Sequence, residues 1–548
     1  MKKFLATLMA LVLLLSCCGI AGAETTQLTK VRLFAANAMS GSGVMTGAYG
    51  EVFARHGLEV EVVAYSPEKL QGMLASGDLA DVIWLEQKEM LTAADSGLII
   101  NLDDHLDKLP NMMANPKFEP TLNYARQFNS NGTGNLYYIG TVGGSSMVLA
   151  PDTDRNAIKM NWPIYKAAGY PEFSKLEDVI PVLKKMQDTQ PTTAEGVPTY
   201  GMHLFSDFDT TYFWNMNAIY TILGKDFTFL PYGIEFDPVT DTGVSIFTEG
   251  SVYYRGLKFM YEMNKAGLID PDSMSQTRST AKAKIESGAA LAGWAGNPGW
   301  EAQGYYPVIF DDFTPYMSFA ANYSTGGYCI AANTENLDAA LTLLDIFCSE
   351  DDCMDMRNGL KGTSWDVDEN GKPYITEEYF AFLKSGADKF VPSNGAPTSE
   401  YLGFSGGLFG TGYLLKDSGI GLCIADFPDM LAYRYSSEIA LDWAEHYGYP
   451  YLRALMDARN QPTAIQHESF TAFLTPDDDD MIMTKAALKD VIVPASWQMI
   501  YAKDEAEFDK IWADTKAKCE SLGLDYVIQY KTDDINAALA TVAALSAE

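Results

Sequence analysis

Histidine is scarce, with five in 548 residues, and none of the five stands at a metal-binding spacing such as His-Glu-x-x-His. No Walker or dinucleotide glycine pattern follows a strand-like run, so the sequence offers no nucleotide site. Basic residues are outnumbered, 39 Lys and Arg against 72 Asp and Glu, and the acidic excess is spread along the chain rather than gathered in a tail. A formal net charge of -33 argues against nucleic acid, whose phosphates need a basic face. It suits a protein that must stay dispersed outside the cytoplasm.

Cysteine is also sparse. Beyond Cys17 and Cys18 there are five, at 329, 348, 353, 423 and 519, and an odd number cannot all pair within a monomer. A disulfide framework is therefore excluded. Cys348 and Cys353 are close enough for a small loop bridge, or they are core thiols at a helix end. Long apolar runs are missing except for residues 4–15, twelve residues that are too few to span a bilayer. With Lys2 and Lys3 before it and small residues after it, this run reads as an export signal over residues 1–23. Leu14-Leu15-Ser16-Cys17 resembles a bacterial lipobox, in which Cys17 would carry the lipid; Ala21-Gly-Ala23 equally resembles a simple cleavage site.

Apolar residues make up 47% of the chain and aromatic residues 12%, ample for a large core divided into two or three lobes. Residues 30–35 read as a buried strand, Leu58-Glu-Val-Glu-Val-Val63 as an alternating one, and residues 82–85 as a third. Helical pattern separates them, with Ser66 and Pro67 opening the second helix. This βαβαβ order predicts a parallel sheet with right-handed crossovers. A second unit begins at Trp162-Pro-Ile-Tyr-Lys-Ala-Ala-Gly-Tyr-Pro-Glu172, a short helix stopped by Gly169 and Pro171. Ser174 and Glu177 form an expected capping box for the next helix, whose buried face is Leu176, Val179, Ile180, Leu183 and Met186 and which Pro181 should kink. Residues 199–205 then read as a strand, residues 289–294 and 328–332 as others, and residues 508–523 as a terminal helix.

The order Ala-Ala-Gly-Tyr-Pro-Glu172, Leu176-Glu-Asp, Leu183-Lys-Lys-Met186 and Pro198-Thr-Tyr-Gly201 resembles the extracellular solute-binding proteins that deliver sugars and oligosaccharides to ABC importers. Ser76-Gly-Asp-Leu-Ala-Asp-Val82 and Gly267-Leu-Ile-Asp-Pro271 resemble further steps of that family, with Ala80 where the family often has Pro. The resemblance implies an α/β, periplasmic-binding-protein-like (type II) fold of two α/β lobes joined by a multi-strand hinge. The expected division is a first lobe over 28–145, a second over 146–325, a return to the first over 326–390, and a return to the second with the C-terminal helices over 391–548. It also implies a sugar or oligosaccharide ligand, an ABC permease as membrane partner, a monomer at the cell surface or secreted, and no catalysis.

Sugar sites place aromatic rings under the apolar faces of pyranoses and surround them with side chains that read hydroxyls. The candidate rings are Trp84, Trp214, Trp294, Trp300 and Trp365, with Tyr138, Tyr323 and Tyr328; Asp81, Asn215, Asn297 and Asn322 are the candidate polar readers. Each competes with a plain core role. Asp366, Asp368, Asn370 and Glu377 satisfy the spacing of a calcium loop, with Gly371 at the turn, although the same stretch also reads as a hairpin. Some relatives carry a calcium loop after the Leu-Lys-Lys-Met helix, but residues 188–196 here lack its ligands. No cofactor other than calcium is implied. Asp477 to Asp480 read as a solvated loop. Gly403-Phe-Ser405-Gly-Gly407 matches the hydrolase elbow, which keeps a secreted esterase or carbohydrate-active enzyme as the alternative, but a glycine-rich stretch follows where the elbow needs a helix.

Overall fold

Alternating burial along Leu58–Val63, with Leu58, Val60 and Val62 inside and Glu61 exposed, marks a strand with one face on a core. The computed structural model describes residues 28–35, 42–143, 157–294, 304–319, 323–387, 389–398, 407–410, 412–459, 465–468 and 470–547. Leu58–Val63 runs parallel to Thr29–Phe34, which in turn runs parallel to Val82–Leu85. Two antiparallel strands close the edges, Gly327–Ile330 beside Val82–Leu85 and Gly43–Val44 beside Leu58–Val63. The crossover helices are Gly47–Arg55 and Pro67–Ser76. Ser66 caps the second through its hydroxyl, which accepts the Lys69 N–H at 3.1 Å, and Gly77 ends it at φ 74°. Gly327 allows a tight crossing, because a Cβ there would lie 2.3 Å from the Ile139 carbonyl oxygen.

A second core forms on Ile158–Asn161, flanked antiparallel by Ala292–Gly293 and Tyr305–Val308. Residues 199–205 join it only through single bridges, Tyr200 to Ala290 and Met202 to Ile269, rather than as the full strand expected. The expected capping box shifts by one residue. The Asp178 carboxylate, not Glu177, reaches back to the Lys175 N–H at 3.1 Å, while Glu177 takes a two-pronged ion pair from Arg255 at 2.6 and 2.8 Å. Pro181 does not kink the helix. The α-helix begins at Val179 after a 3-10 turn over Leu176–Asp178, so the proline falls in the first turn, where its missing N–H costs nothing.

The chain visits the two cores in turn. Residues up to Val142 build the first, residues from Ala157 to Phe313 the second, residues from Tyr328 to Phe427 the first again, and residues from Trp443 to Val527 the second. The last return therefore comes after Phe427 rather than at 391. Leu408, Phe409, Tyr413, Leu415, Leu422 and Phe427 are buried in the first core, where Phe409 packs edge-on to Phe118 at 5.8 Å and the Leu408 N–H donates to the Phe347 carbonyl. Tyr316–Phe319, on the passage back from the second core, pairs in parallel with Ile465–Glu468. The five cysteines are free thiols, with Cys348 and Cys353 fully buried rather than bridged. No helix among the described residues is long and apolar enough to cross a membrane.

Candidate ligand-binding site

The parallel strands of the first core end at Phe34, Val63 and Leu85, and ligands of open α/β sheets bind beyond such carboxyl ends. Trp84 is half-buried there, edge-on to Tyr328 at 5.0 Å, and its indole N–H donates to Glu86 Oε1 at 3.0 Å. Next to it, Gln87 Nε2 donates to Asn129 Oδ1, Asn129 Nδ2 donates to the Tyr138 hydroxyl at 2.7 Å, and that hydroxyl donates to the Ser324 carbonyl at 2.7 Å. Tyr138 and Tyr328 are buried, and desolvation holds both phenols far above their ordinary pKa. They are scaffold for this edge rather than rings open to a sugar. Asp81 also serves the sheet: one carboxylate oxygen accepts the Arg32 N–H and the other the Thr334 hydroxyl, each at 2.7 Å.

On the second core, residues 206–214 form an aromatic loop. Phe208 is 38% exposed, and Tyr212 and Trp214 are half-buried. Trp214 stacks on Tyr212 at 5.8 Å with 28° between planes, and Phe208 lies 5.4 Å away on the same indole. Partly exposed, mutually packed rings of this kind suit the apolar face of a pyranose. Asn215 is turned inward and closes the loop on Phe205, donating to its carbonyl at 2.8 Å and accepting its N–H at 3.3 Å. Burial pushes the Asp209 carboxyl up to about 6, partly offset by the hydrogen bonds it accepts from the Trp214 N–H and the Trp497 indole.

The remaining candidates divide plainly. Trp294 is 1% exposed, donates to the Gly201 carbonyl at 2.8 Å and packs against Phe259; Trp365, equally buried, donates to the Gly359 carbonyl. Both are core tryptophans. Tyr323 stands apart, in a cluster with Tyr124 and Phe473 at 5.5 and 5.0 Å, and lines a cavity of about 760 Å³ with Pro116, Glu119, Asn123, Gln127 and Leu545. Asn297, Trp300, Asn322 and Cys17 lie outside the described residues. The calcium expectation is corrected to the hairpin: Trp365–Val367 pairs antiparallel with Pro373–Ile375. Asp368 Oδ1 is taken by the Asn370 and Lys372 N–H groups, the Asp366 carboxylate accepts the Val367 N–H, and Glu377 begins the next helix. Among the described residues no three His, Cys, Asp or Glu side chains lie close enough to hold a metal ion.

The model of the bacterial extracellular solute-binding proteins matches residues 37–352. The chain belongs to that family. Solved structures agree on the fold of this solute-binding protein. An HMO-binding, ABC-transporter-associated solute-binding protein of Bifidobacterium longum infantis superposes with a TM-score of 0.57 at 16% identity, over 93% of this chain and 99% of that one. The S. pneumoniae ABC-transporter substrate-binding protein FusA, in complex with kestose, gives 0.56 at 16% identity over 94% and 100%. No curated protein sequence matches the chain.

A solute-binding protein of this family is not an enzyme, and the esterase alternative gains nothing from the fold. Ser405 lies outside the described residues, and the His446 ring is stacked on Tyr170 at 4.3 Å. Glu86, Gln87, Phe208 and Tyr212, which border these rings, are not among the sequence candidates. The signal for the last two was available, since Phe208-Asp-Thr-Thr-Tyr-Phe-Trp214 is the densest aromatic run outside a regular periodicity.

Proposed function

We infer that this solute-binding protein captures a neutral sugar or oligosaccharide between two lobes, one on each core, and hands it to an ABC-type permease. The observation that carries the reading is the partly exposed cluster of Phe208, Tyr212 and Trp214 on the second core. Glu86 and Gln87 on the first core supply polar groups of the kind that read hydroxyls. Of the two solved structures named above, one is described as HMO-binding and the other is in complex with kestose. Ligand contacts to the two lobes would shift a hinged molecule from open to closed, because only closure offers both sets of contacts at once. In this reading the passage at 427–443 and the described parts of the passage between Phe313 and Tyr328 belong to the hinge.

A thermal-shift panel tests it. Neutral oligosaccharides at about a hundred times their Kd should add roughly 2.7 kcal/mol of apparent stability, read as a rise of a few degrees. Amino acids and short peptides should leave the midpoint unmoved. A panel in which no sugar raises it sinks the carbohydrate reading. Calcium, followed by a chelator, should shift the midpoint by less than about 1 °C, given that backbone N–H groups already occupy Asp368.

The protein acts in this reading as an exported monomer. Cys17 would carry the lipid that holds it at the membrane surface. Fatty-acid labelling that vanishes in Cys17→Ser distinguishes that anchor from release after Ala23; labelling that persists rules Cys17 out.

A further inference from the structure

We propose that Asp209 is the positioning residue of the aromatic platform, a carboxylate clamp that fixes Trp214 to the C-terminal helices so that the rings are set before a sugar arrives. The inference rests on the carbohydrate reading for its purpose, but the clamp itself stands on geometry.

The platform loop has no regular secondary structure of its own between Ser206 and Trp214. Something else must hold it. Asp207 Oδ1 accepts the Arg278 N–H at 2.8 Å, tying one end to the helix Arg278–Glu286, and the Arg278 guanidinium lies 5.3 Å over the Phe208 ring. Asp209 makes the central tie. Its Oδ1 accepts the Trp214 backbone N–H at 2.8 Å, and its Oδ2 accepts the Trp497 indole N–H at 2.8 Å, across 288 residues of sequence. Trp497 is itself fixed in the long helix Asp479–Ile500 and packs edge-on to Phe213 at 5.1 Å. One side chain thus connects the backbone of the platform tryptophan to a rigid element. Two N–H donors facing the two oxygens of one carboxylate match its acceptor-only ionised form.

A proton on Asp209 would place an O–H against one of those donors and release a bond. The charged and titratable groups around it are few. Asp207 raises its proton affinity from the same loop; Tyr212 comes from that loop and Tyr253 from the helix Val252–Lys265. Lys489, on the helix that carries Trp497, borders the gap beside Tyr212 and Tyr253 without an ion pair to Asp209. The carboxyl titrates near 6, so the clamp should loosen as pH falls from 7 to 5.

The test uses the full exported chain and two arms. In the sugar-free arm, hydrogen exchange at the Trp214 amide and acrylamide quenching of indole emission are followed from pH 5 to pH 8 in wild type, Asp209→Asn and Trp497→Phe. Exchange rates are corrected for their intrinsic pH dependence. In the second arm, kestose and the hits of the thermal panel are titrated against the same three proteins. Asp209→Asn should raise Trp214 amide opening roughly tenfold at pH 7, abolish its pH dependence between 5 and 7, and weaken sugar binding by a similar factor. Trp497→Phe keeps the ring against Phe213 and should reproduce a part of both effects. Unchanged Trp214 exchange in Asp209→Asn overturns the clamp. So does an increase matched by every other amide of the second core, since that reports general destabilisation. If no sugar binds the wild type, the carbohydrate reading fails and the exchange arm still decides the clamp.

Discussion

Trp294→Ala should destabilise the protein by about 3–5 kcal/mol, whereas Trp214→Ala should leave the unfolding midpoint near wild type and weaken sugar binding tenfold or more. The two residues have the same side chain and opposite surroundings. Trp294 is closed in among second-core side chains, and its loss opens a cavity and leaves the Gly201 carbonyl without its partner. Trp214 is only half-buried, with Tyr212 and Phe208 beside it, so its removal should take away less packing than the loss of Trp294. Thermal unfolding and sugar titration of the two variants, side by side, measure this. Equal loss of stability in both would mean that the ring of Trp214 is structural and that the platform lies elsewhere.

Lys531→Met should destabilise the protein by about 3–5 kcal/mol at neutral pH, because it removes the buried ammonium that pairs with Asp534 and Asp477. The Lys531 side chain is 1% exposed and pairs with Asp534 at 2.8 Å and with Asp477 at 3.3 Å, beneath the Tyr232 ring. Lys485 also pairs with Asp477 at 2.5 Å, so that carboxylate keeps one cation after the substitution, while Asp534 loses the Lys531 ammonium and keeps the Thr475 N–H. Burial pushes the Asp477 carboxyl up, but hydrogen bonds from Lys485 and Tyr232 and the charges of Lys485 and Lys531 outweigh it and hold the carboxyl below its ordinary value. A depressed carboxylate stabilises the fold above its unfolded value, near about 4, and that contribution is lost as pH falls through the folded value. The difference between wild type and Lys531→Met should therefore be largest at pH 6–7 and shrink below pH 4. Denaturant unfolding at pH 7, 5 and 3 checks both the size and the trend. A difference that does not change with pH would mean that packing of the lysine stem, not its charge, sets the cost.

This cluster shows where sequence reading stops. Asp477 to Asp480 look like four solvated acids. In the fold Asp477 is half-buried between two lysines, and Asp478 caps the helix Asp479–Ile500 by accepting the Met481 N–H. Lys531 lies far along the chain, so spacing carries no trace of that pair, whereas the Asp478 cap is local and was overlooked in the run of acids. The first core was legible for the opposite reason. Leu58–Val63 alternates, Ser66 and Pro67 announce a helix, and Gly77 closes it, all within a few residues.

The tryptophans illustrate the boundary again. Trp84, Trp214, Trp294 and Trp365 sit in similar local strings, beside small or apolar residues, and only long-range packing separates core from platform. Asp209 was invisible because its meaning depends on Trp497. The segment before Phe427 was assigned to the wrong side because it is rich in glycine and lacks a period. Its six buried apolar side chains reach the first core from turns rather than from a helix or strand. The hairpin at Trp365–Ile375 was a fair contest between two local patterns, decided by backbone N–H groups claiming the Asp368 oxygen first.

Interleaving of the two cores along the chain has a consequence for biosynthesis. The edge strand Gly327–Ile330 and the Arg55–Asp355 ion pair, which spans 300 positions, tie the earliest segments to residues made much later. Neither half can be completed while the polypeptide is still short, and such non-local wiring slows folding. A nascent chain ending before residue 427 should remain sensitive to protease throughout its first hundred residues. Slow completion of this kind would leave time for a secretion channel to accept the molecule while it is still loose enough to thread.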